Sequence, residues 1–368
     1  MKHKPRPTIA HLAELAGVSK TTVSLALSNA GSISAETRER VRGFAAELGY
    51  RPPRQRRLKS KTTGAIGVLL DREFHWAGEQ FFTRIIRSLQ EEAEREGLHT
   101  LFTTISRESM EAGRLPEILG DDMVHSIVVV GITQSAFIRS LKRFGKPVVL
   151  VSCGSQTDSD FDCVLNDDFT GMQQAVRHLL DLGHRRIGLV GGRLDHLSNL
   201  ERFRAFRICM DEMADGYDPA LTHVSSSDAS IPEGRIACNA LLNSGENFTA
   251  LMCMTDDMAY GALECLQQRG LKVPGDVAVV GFNDLALSAH AVPSLTSVRV
   301  CCEELGKAAH QVVRTRLGTA AIAHPLRLMV GSKLIVRDST GPVQLQAARN
   351  AGTAGALHPP SRQPVSRP

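Results

Sequence analysis

From Gly64 onward, short runs rich in Val, Ile and Leu alternate with stretches whose apolar positions recur every three to four residues. The apolar runs fall at Ile66–Leu70, Leu101–Thr104, Ser126–Val130, Val148–Val151 and Cys163–Leu165, then at Arg186–Val190, 221–225, Ala250–Met254 and Val277–Gly281. Helical periodicity occupies 79–96, 168–182, 198–214, 231–243 and 257–269. A strand that is apolar on both faces must be covered on both, and a following helix supplies one cover. The alternation therefore predicts an α/β body of parallel, doubly wound sheets. Roughly 270 residues of it exceed one ordinary core, so two such units joined by crossovers are expected.

The front of the chain reads differently. Thr8 is placed to cap a helix with Ile9, Leu12, Ala13 and Ala16 on one face, and Gly17 ends it. Ser19 caps a second helix almost at once, with Val18 and Val23 as a hydrophobic staple. Ser34 caps a third, with Val41, Phe44, Ala45 and Leu48 inward and Gly49 as its stop. Two helices so closely spaced cross steeply, as in helix-turn-helix readers, which lay the second helix in the major groove. On that helix Val23 and Leu27 are expected to face inward, leaving Lys20, Thr21, Ser24, Leu25 and Ser28 outward. Thirteen Lys and Arg against four Asp and Glu give residues 1–63 a net charge of +9, while the remainder carries −5. Such asymmetry suits a polyanionic partner at the front, because phosphate neutralisation supplies most non-specific nucleic-acid affinity. Residues 51–63, with prolines, six basic side chains and Leu58 as the one apolar residue, read as a linker.

Several classes are disfavoured. The eight cysteines form no C-x-x-C pair and no cluster with His at ligand spacing, so no metal or disulfide framework is expected. Gly188-x-x-Gly191-Gly192 lacks the G-x-G-x-x-G spacing of a dinucleotide site, and no cofactor is expected. Neither a nucleophile elbow nor a phosphate loop is present, which argues against an enzyme. Met1-Lys2-His3-Lys4-Pro5-Arg6-Pro7 lacks the apolar run of a secretory signal, and no stretch reaches the ~18–20 apolar residues of a membrane span. A cytoplasmic protein is expected, with a disordered tail over 341–368 that is rich in Pro, Gly, Ala and Arg.

The run Thr8-Ile9, Leu12-Ala13, Leu15-Ala16-Gly17-Val18-Ser19-Lys20-Thr21-Thr22-Val23-Ser24, with Ile33-Ser34, Thr37-Arg38-Glu39-Arg40-Val41 and Glu47-Leu48-Gly49-Tyr50-Arg51-Pro52, resembles the headpiece of the lactose-repressor (LacI/GalR) family. The resemblance continues through Leu182-Gly183-His184-Arg185-Arg186-Ile187, Val273-Pro274-Gly275-Asp276 and Val336-Arg337-Asp338-Ser339-Thr340. It implies a headpiece over 1–50, a hinge over 51–63, and a two-lobed, periplasmic-binding-protein-like effector domain over 64–340. The N-lobe is then expected at about 64–163 and 294–322 and the C-lobe at about 164–293 and 323–340. It also implies a homodimeric repressor of a carbohydrate-type operon that binds double-stranded operator DNA and a sugar, sugar acid or related metabolite.

Candidate DNA contacts are Lys20, Thr21, Thr22, Ser24, Leu25 and Ser28 on the second helix, with Arg54, Arg57 and Leu58 in the linker. Leu25 stands where many relatives have arginine, which exchanges a bidentate guanine contact for an apolar one. Leu58 matches the leucine that wedges into the minor groove, although Pro53 and Arg56 replace the usual Asn and Ala. In open α/β sheets ligands collect at the carboxyl ends of strands. Asp71, Phe74, Trp76 and Phe81 follow the first of these; Phe81 and Phe82 equally suit the core face of the next helix. By motif, Arg202 is the effector-bonding arginine, and Ser152, Thr255 and Asn283 are polar cleft positions. Thr255 replaces a frequent asparagine and Asn283 a frequent aspartate, which leaves Arg202 available for an anionic ligand. Asp256, Asp284 and Asp338 suit caps or loop bonds equally well.

Overall fold

The computed structural model of the chain describes residues 8–28, 33–48, 64–72, 80–132, 134–153, 160–213, 216–318 and 323–343. The chain divides between Thr62 and Thr63 into two compact units.

The first unit contains α1 (Ile9–Ala16), α2 (Lys20–Ser28) and α3 (Ala35–Glu47). Thr8 caps α1 by accepting from the His11 amide, and Gly17 closes it at φ +66°, a left-handed turn that glycine adopts without strain. Ser19 Oγ accepts from the Thr22 amide at 3.0 Å, and Ser34 Oγ from the Thr37 amide at 3.2 Å. Leu12, Ala13, Ala16, Val23, Ala26, Val41 and Ala45 are buried together, with Leu27, Phe44 and Leu48 half-buried around them. Val23 and Ala26 are the buried residues of α2, and Leu27 packs half-buried against the same core.

The second unit carries two six-stranded sheets. In chain order its elements are β1 (Ala65–Asp71), α4 (Gln80–Arg95), β2 (His99–Ile105), α5 (Arg107–Glu111), β3 (Val124–Val130), α6 (Ser135–Ser140), β4 (Val148–Val151) and β5 (Asp162–Asn166). There follow α7 (Asp168–Asp181), β6 (Ile187–Gly191), α8 (Leu197–Met213), β7 (Thr222–Val224), α9 (Ile231–Asn243), β8 (Ala250–Cys253), α10 (Asp256–Gln268) and β9 (Ala278–Asn283). The chain closes with β10 (Thr296–Arg299), α11 (Cys302–Leu317), β11 (Arg327–Val330) and β12 (Lys333–Ile335). The N-lobe sheet has the order β11-β5-β4-β3-β1-β2, and the C-lobe sheet β12-β10-β9-β8-β6-β7. Every pairing is parallel except β10 with β12. β1 is buried at all seven positions, as a strand between two helical layers must be.

Strand pairing corrects the lobe boundaries expected from the sequence. β10 lies in the C-lobe sheet beside β9, whereas β11 lies in the N-lobe sheet beside β5. The lobes therefore exchange chain at Asp167, at Val300–Cys301 and at Gly331–Ser332, so 294–299 belongs to the C-lobe and 323–330 to the N-lobe. All three connections leave from the carboxyl ends of β5, β10 and β11, so the carboxyl edges of the two sheets share one gap.

The expected tail also begins later. The Val343 amide donates to Leu182 O at 2.9 Å, and Gly341 O accepts from His184 Nε2 at 3.0 Å, so 341–343 pack on the C-lobe. Residues 344–368 and the linker 51–63 lie outside the described residues.

Candidate functional site

On α2 the buried Val23 and Ala26 fix the rotational setting, and the 100° step per residue puts positions 21, 24, 25 and 28 on the opposite side. Lys20 is exposed at the helix start. Thr22 is half-buried, and its hydroxyl lies 2.8 Å from Ser19 Oγ, so it serves the cap. The side chains of Thr21, Ser24, Leu25 and Ser28 lie outside the described residues, as do Arg54, Arg57 and Leu58.

At the carboxyl ends of the C-lobe strands, one guanidinium organises the surroundings. Arg202, on the first turns of α8, is 4% exposed. Its Nε donates to Asp168 Oδ1 at 2.8 Å, Nη1 to Met254 O at 2.6 Å, and Nη2 to Asn283 Oδ1 at 3.4 Å. Its Cζ sits 3.7 Å from the centroid of the Phe282 ring, a cation–π stack in a desolvated setting. Asp168 is free to make this pair because its neighbour Asp167 takes the helix-capping role, accepting from the Thr170 amide at 3.0 Å. Asn166 Nδ2 donates to the same Asp168 oxygen at 3.0 Å. Partly buried His196 lies in the turn that leads into α8. Burial first, and then the charge of Arg202, push its pKa down to about 4, so it stays neutral near pH 7.

The backbone here is held in unusual conformations. Ser152 (φ +47°), Asn283 (φ +114°) and Asp284 (φ +51°) are the non-glycine residues with positive φ among those described; Ser152 follows β4 at the carboxyl edge of the N-lobe sheet, while Asn283 ends β9 and Asp284 follows it at that of the C-lobe sheet. Each such residue costs on the order of 1–3 kcal/mol and persists only where neighbours over-determine it; ligand clamps are where such strain collects. The neighbours are visible. Asp284 Oδ2 accepts from Arg299 Nε at 2.6 Å, and Arg337 Nη2 lies 2.7 Å from Oδ1 without hydrogen-bond alignment. Fully buried Asp256 accepts from the Leu285 amide at 2.6 Å and from Ser288 and Ser297 hydroxyls at 2.8 and 2.5 Å. Burial pushes its pKa up to about 6 against the opposing effect of those bonds. Asp256 and Asp284 thus anchor the β9 turn.

The other expected residues divide. Asp71 is buried at the end of β1, and Ser152 at the end of β4. Thr255 caps α10, accepting from the Met258 amide at 3.2 Å. Phe81 opens α4 half-buried against the core, edge-on to Phe82 at 5.2 Å, which favours its packing role. Phe74 and Trp76 lie outside the described residues. The sequence reading missed Asp168, Asn166, Met254 O and Phe282. Two adjacent acids after a strand were the available signal, since one residue alone can cap the helix. One concavity among the described residues, about 430 Å³, lies elsewhere: at the amino ends of β4 and β5, where Lys142 pairs with Asp160 and Arg316 with Asp162. Its Lys146 Nζ donates to the Leu119 and Asp121 carbonyls at 2.8 and 2.6 Å.

Residues 8–53 match the family described as bacterial regulatory proteins, lacI family, and residues 176–340 match the periplasmic binding protein-like domain. The HTH-type transcriptional regulator MalR of Streptomyces coelicolor is 31% identical over 343 residues, covering 90% of this chain and 96% of its own. The chain belongs to the lacI family. Another lacI-type relative, the HTH-type transcriptional regulator CelR of Thermobifida fusca, is 29% identical over 346 residues, 92% of this chain and all of its own. The solved CelR–cellobiose complex superposes with a TM-score of 0.68 at 28% identity, over 91% of this chain and 100% of that one. The lac repressor dimer bound to operator and an anti-inducer gives the same TM-score of 0.68 at 24% identity, a likeness of fold. This lacI-family chain is accordingly a helix-turn-helix, DNA-binding transcriptional regulator, from a family of regulators and not of enzymes. No helix among its described residues is long and apolar enough to cross a membrane.

Proposed function

We propose that the chain is a cytoplasmic repressor of a carbohydrate-type operon, whose operator affinity is set by an uncharged, polyhydroxylated metabolite bound between the lobes at Arg202. The observation that carries this reading is the state of the guanidinium. It sits at the carboxyl edge of the C-lobe sheet, buried, with its charge already matched by Asp168 at 2.8 Å. A neutralised fork suits a pair of hydroxyls better than a second carboxylate or a phosphate, which would bring an unmatched negative charge into a desolvated place. Ser152, Asp71 and Asn283 add polar groups at the same edges, and the solved CelR relative is a cellobiose complex.

Lys20, Thr21, Ser24, Leu25 and Ser28 are assigned to base and phosphate contacts, and Arg54, Arg57 and Leu58 to the centre of the site. Two headpieces reading a pseudo-palindrome require a dimer. Edge strand β2 is fitted to pair with a second copy, because its outer backbone is unpaired and Phe102 is 49% exposed there.

The test is a thermal-shift screen of the full chain against neutral sugars, sugar acids, phosphorylated sugars and nucleobases, followed by titration of a selected operator duplex. Neutral saccharides should raise Tm and change operator affinity by about 5–150-fold, the usual range for allosteric coupling. Stabilisation by sugar acids or phosphates alone, or by a ligand that leaves DNA affinity unchanged, refutes the assignment.

A further inference from the structure

We infer that Asn166 and Ser332 are positioning residues that carry the state of the Arg202 guanidinium to the connections between the lobes, an inference that rests on reading Arg202 as the ligand contact. The three connections are Asp167, Val300–Cys301 and Gly331–Ser332. Arg202 reaches the first through Asp168, the residue that follows Asp167. From there the chain of bonds continues: Asn166 Nδ2 donates to Asp168 Oδ1 at 3.0 Å, and Ser332 Oγ lies 3.0 Å from both Asn166 Oδ1 and Asp167 O. That brings in the third connection. The second is reached on the other side of the guanidinium, where Nη2 meets Asn283 Oδ1 at 3.4 Å and Asn283 O accepts from the Val300 amide at 3.5 Å.

The orientation of this relay is fixed by chemistry. A carboxylate only accepts, so Asn166 must present its amide nitrogen to Asp168 and its oxygen to Ser332. Asn166, Asp168 and Arg202 are 6%, 5% and 4% exposed, so water offers little substitute for a lost partner. The bond to Asn283 is the longest that Arg202 makes and the one a ligand hydroxyl displaces most readily. Displacing it loosens Asn283 beside the second connection and draws on Asp168 beside the first. A rotation of one lobe on the other changes the backbone at all three connections, so the guanidinium and the lobe angle are coupled.

The experiment needs no ligand. In the full chain, hydrogen exchange is followed at the Asp167 amide, whose bond to Val330 O at 2.8 Å spans the first and third connections. Arg202→Lys keeps the charge and loses the planar fork, and Ser332→Ala removes the far hydroxyl. Arg202 and Ser332 share no bond, so a merely structural role predicts rate effects that multiply within about twofold. The relay predicts that each substitution accelerates exchange and that the double variant falls short of the product by at least about threefold. It further predicts that Ser332→Thr restores the wild-type rate and that the shortfall disappears in an Asn166→Ala background. Asp168→Asn replaces Arg202→Lys in the cycle if the lysine variant does not fold. Multiplicative effects overturn the relay and leave the ligand assignment standing, because that assignment is decided by the thermal-shift and operator titrations.

Discussion

Replacing Asp168 by alanine strands the Arg202 charge. The two side chains are 6% and 5% exposed and 2.8 Å apart, so the pair is desolvated and cannot be rebuilt with water. Removing one partner of such a pair typically costs about 3–5 kcal/mol, because the remaining ion is buried without compensation. Met254 O and the Phe282 ring still hold the guanidinium, which places Asp168→Ala near the lower end, about 3 kcal/mol. Asp168→Asn keeps an acceptor for Nε and loses only its charge, so about 1–2 kcal/mol is expected, the difference between a charge-assisted and a neutral hydrogen bond. Replacing both partners with apolar residues, Asp168→Leu with Arg202→Met, should recover most of the loss. The assay is urea unfolding followed by tryptophan fluorescence and circular dichroism, with midpoint and slope reported separately. The same variants enter the ligand screen. Asp168→Asn leaves one net positive charge in the cleft, so its preference should move from neutral sugars toward sugar acids. An Asp168→Ala variant within about 1 kcal/mol of wild type would refute the claim that the pair is desolvated.

Three further outcomes are expected. Ser19→Ala removes the acceptor of the Thr22 amide and should destabilise the headpiece by about 1 kcal/mol, read as lower helicity of the headpiece on heating, with no change in ligand-induced Tm shift. Leu25→Arg should shift the preferred base in each half-site, with discrimination altered by about 1–3 kcal/mol; identical selected sites for the two proteins would make Leu25 structural. His196 has its pKa depressed to about 4, so its contribution to stability is present above pH 6.5 and is lost as pH falls toward 4. His196→Gln should remove that acid loss, about 1–2 kcal/mol once partial exposure is allowed for, and parallel pH–stability profiles of mutant and wild type would show that the ring is not buried in its neutral form.

Much of the fold was legible because its rules are local. The strand–helix alternation placed α7, α8, α9 and α10 within about two residues at each end, since amphipathic periodicity and capping residues such as Thr8, Ser19 and Ser34 act over three or four positions. The lobe boundaries were not legible. Nothing within Thr296–Arg299 or Arg327–Val330 states which sheet will accept it, because both are only four residues long and either sheet offers the same unpaired backbone. That choice is made by the partner strands, β9 for the first and β5, far away in sequence, for the second. The docked 341–343 segment was hidden for the same reason: its partners Leu182 and His184 lie over 150 positions earlier.

The candidate site shows a sharper version of the same limit. By residue type, Asn283 removes the acid expected beside Arg202, and the sequence then points to a guanidinium open to an anion. The structure supplies the missing charge from another position: Asp168 on α7 occupies Nε, while Asn283 still accepts from Nη2 through its amide oxygen. The acid has not been lost from the surroundings of Arg202; it stands on a different element, where it also bonds Asn166 next to a lobe connection. Electroneutrality is set by contacts in space, so a substitution at one position says little about charge until its neighbours are known. On the proposed assignment of the ligand to Arg202, an arginine already paired would select for hydroxyl geometry rather than for charge, and the carboxylate that pairs with it is the one tied to the lobe connections.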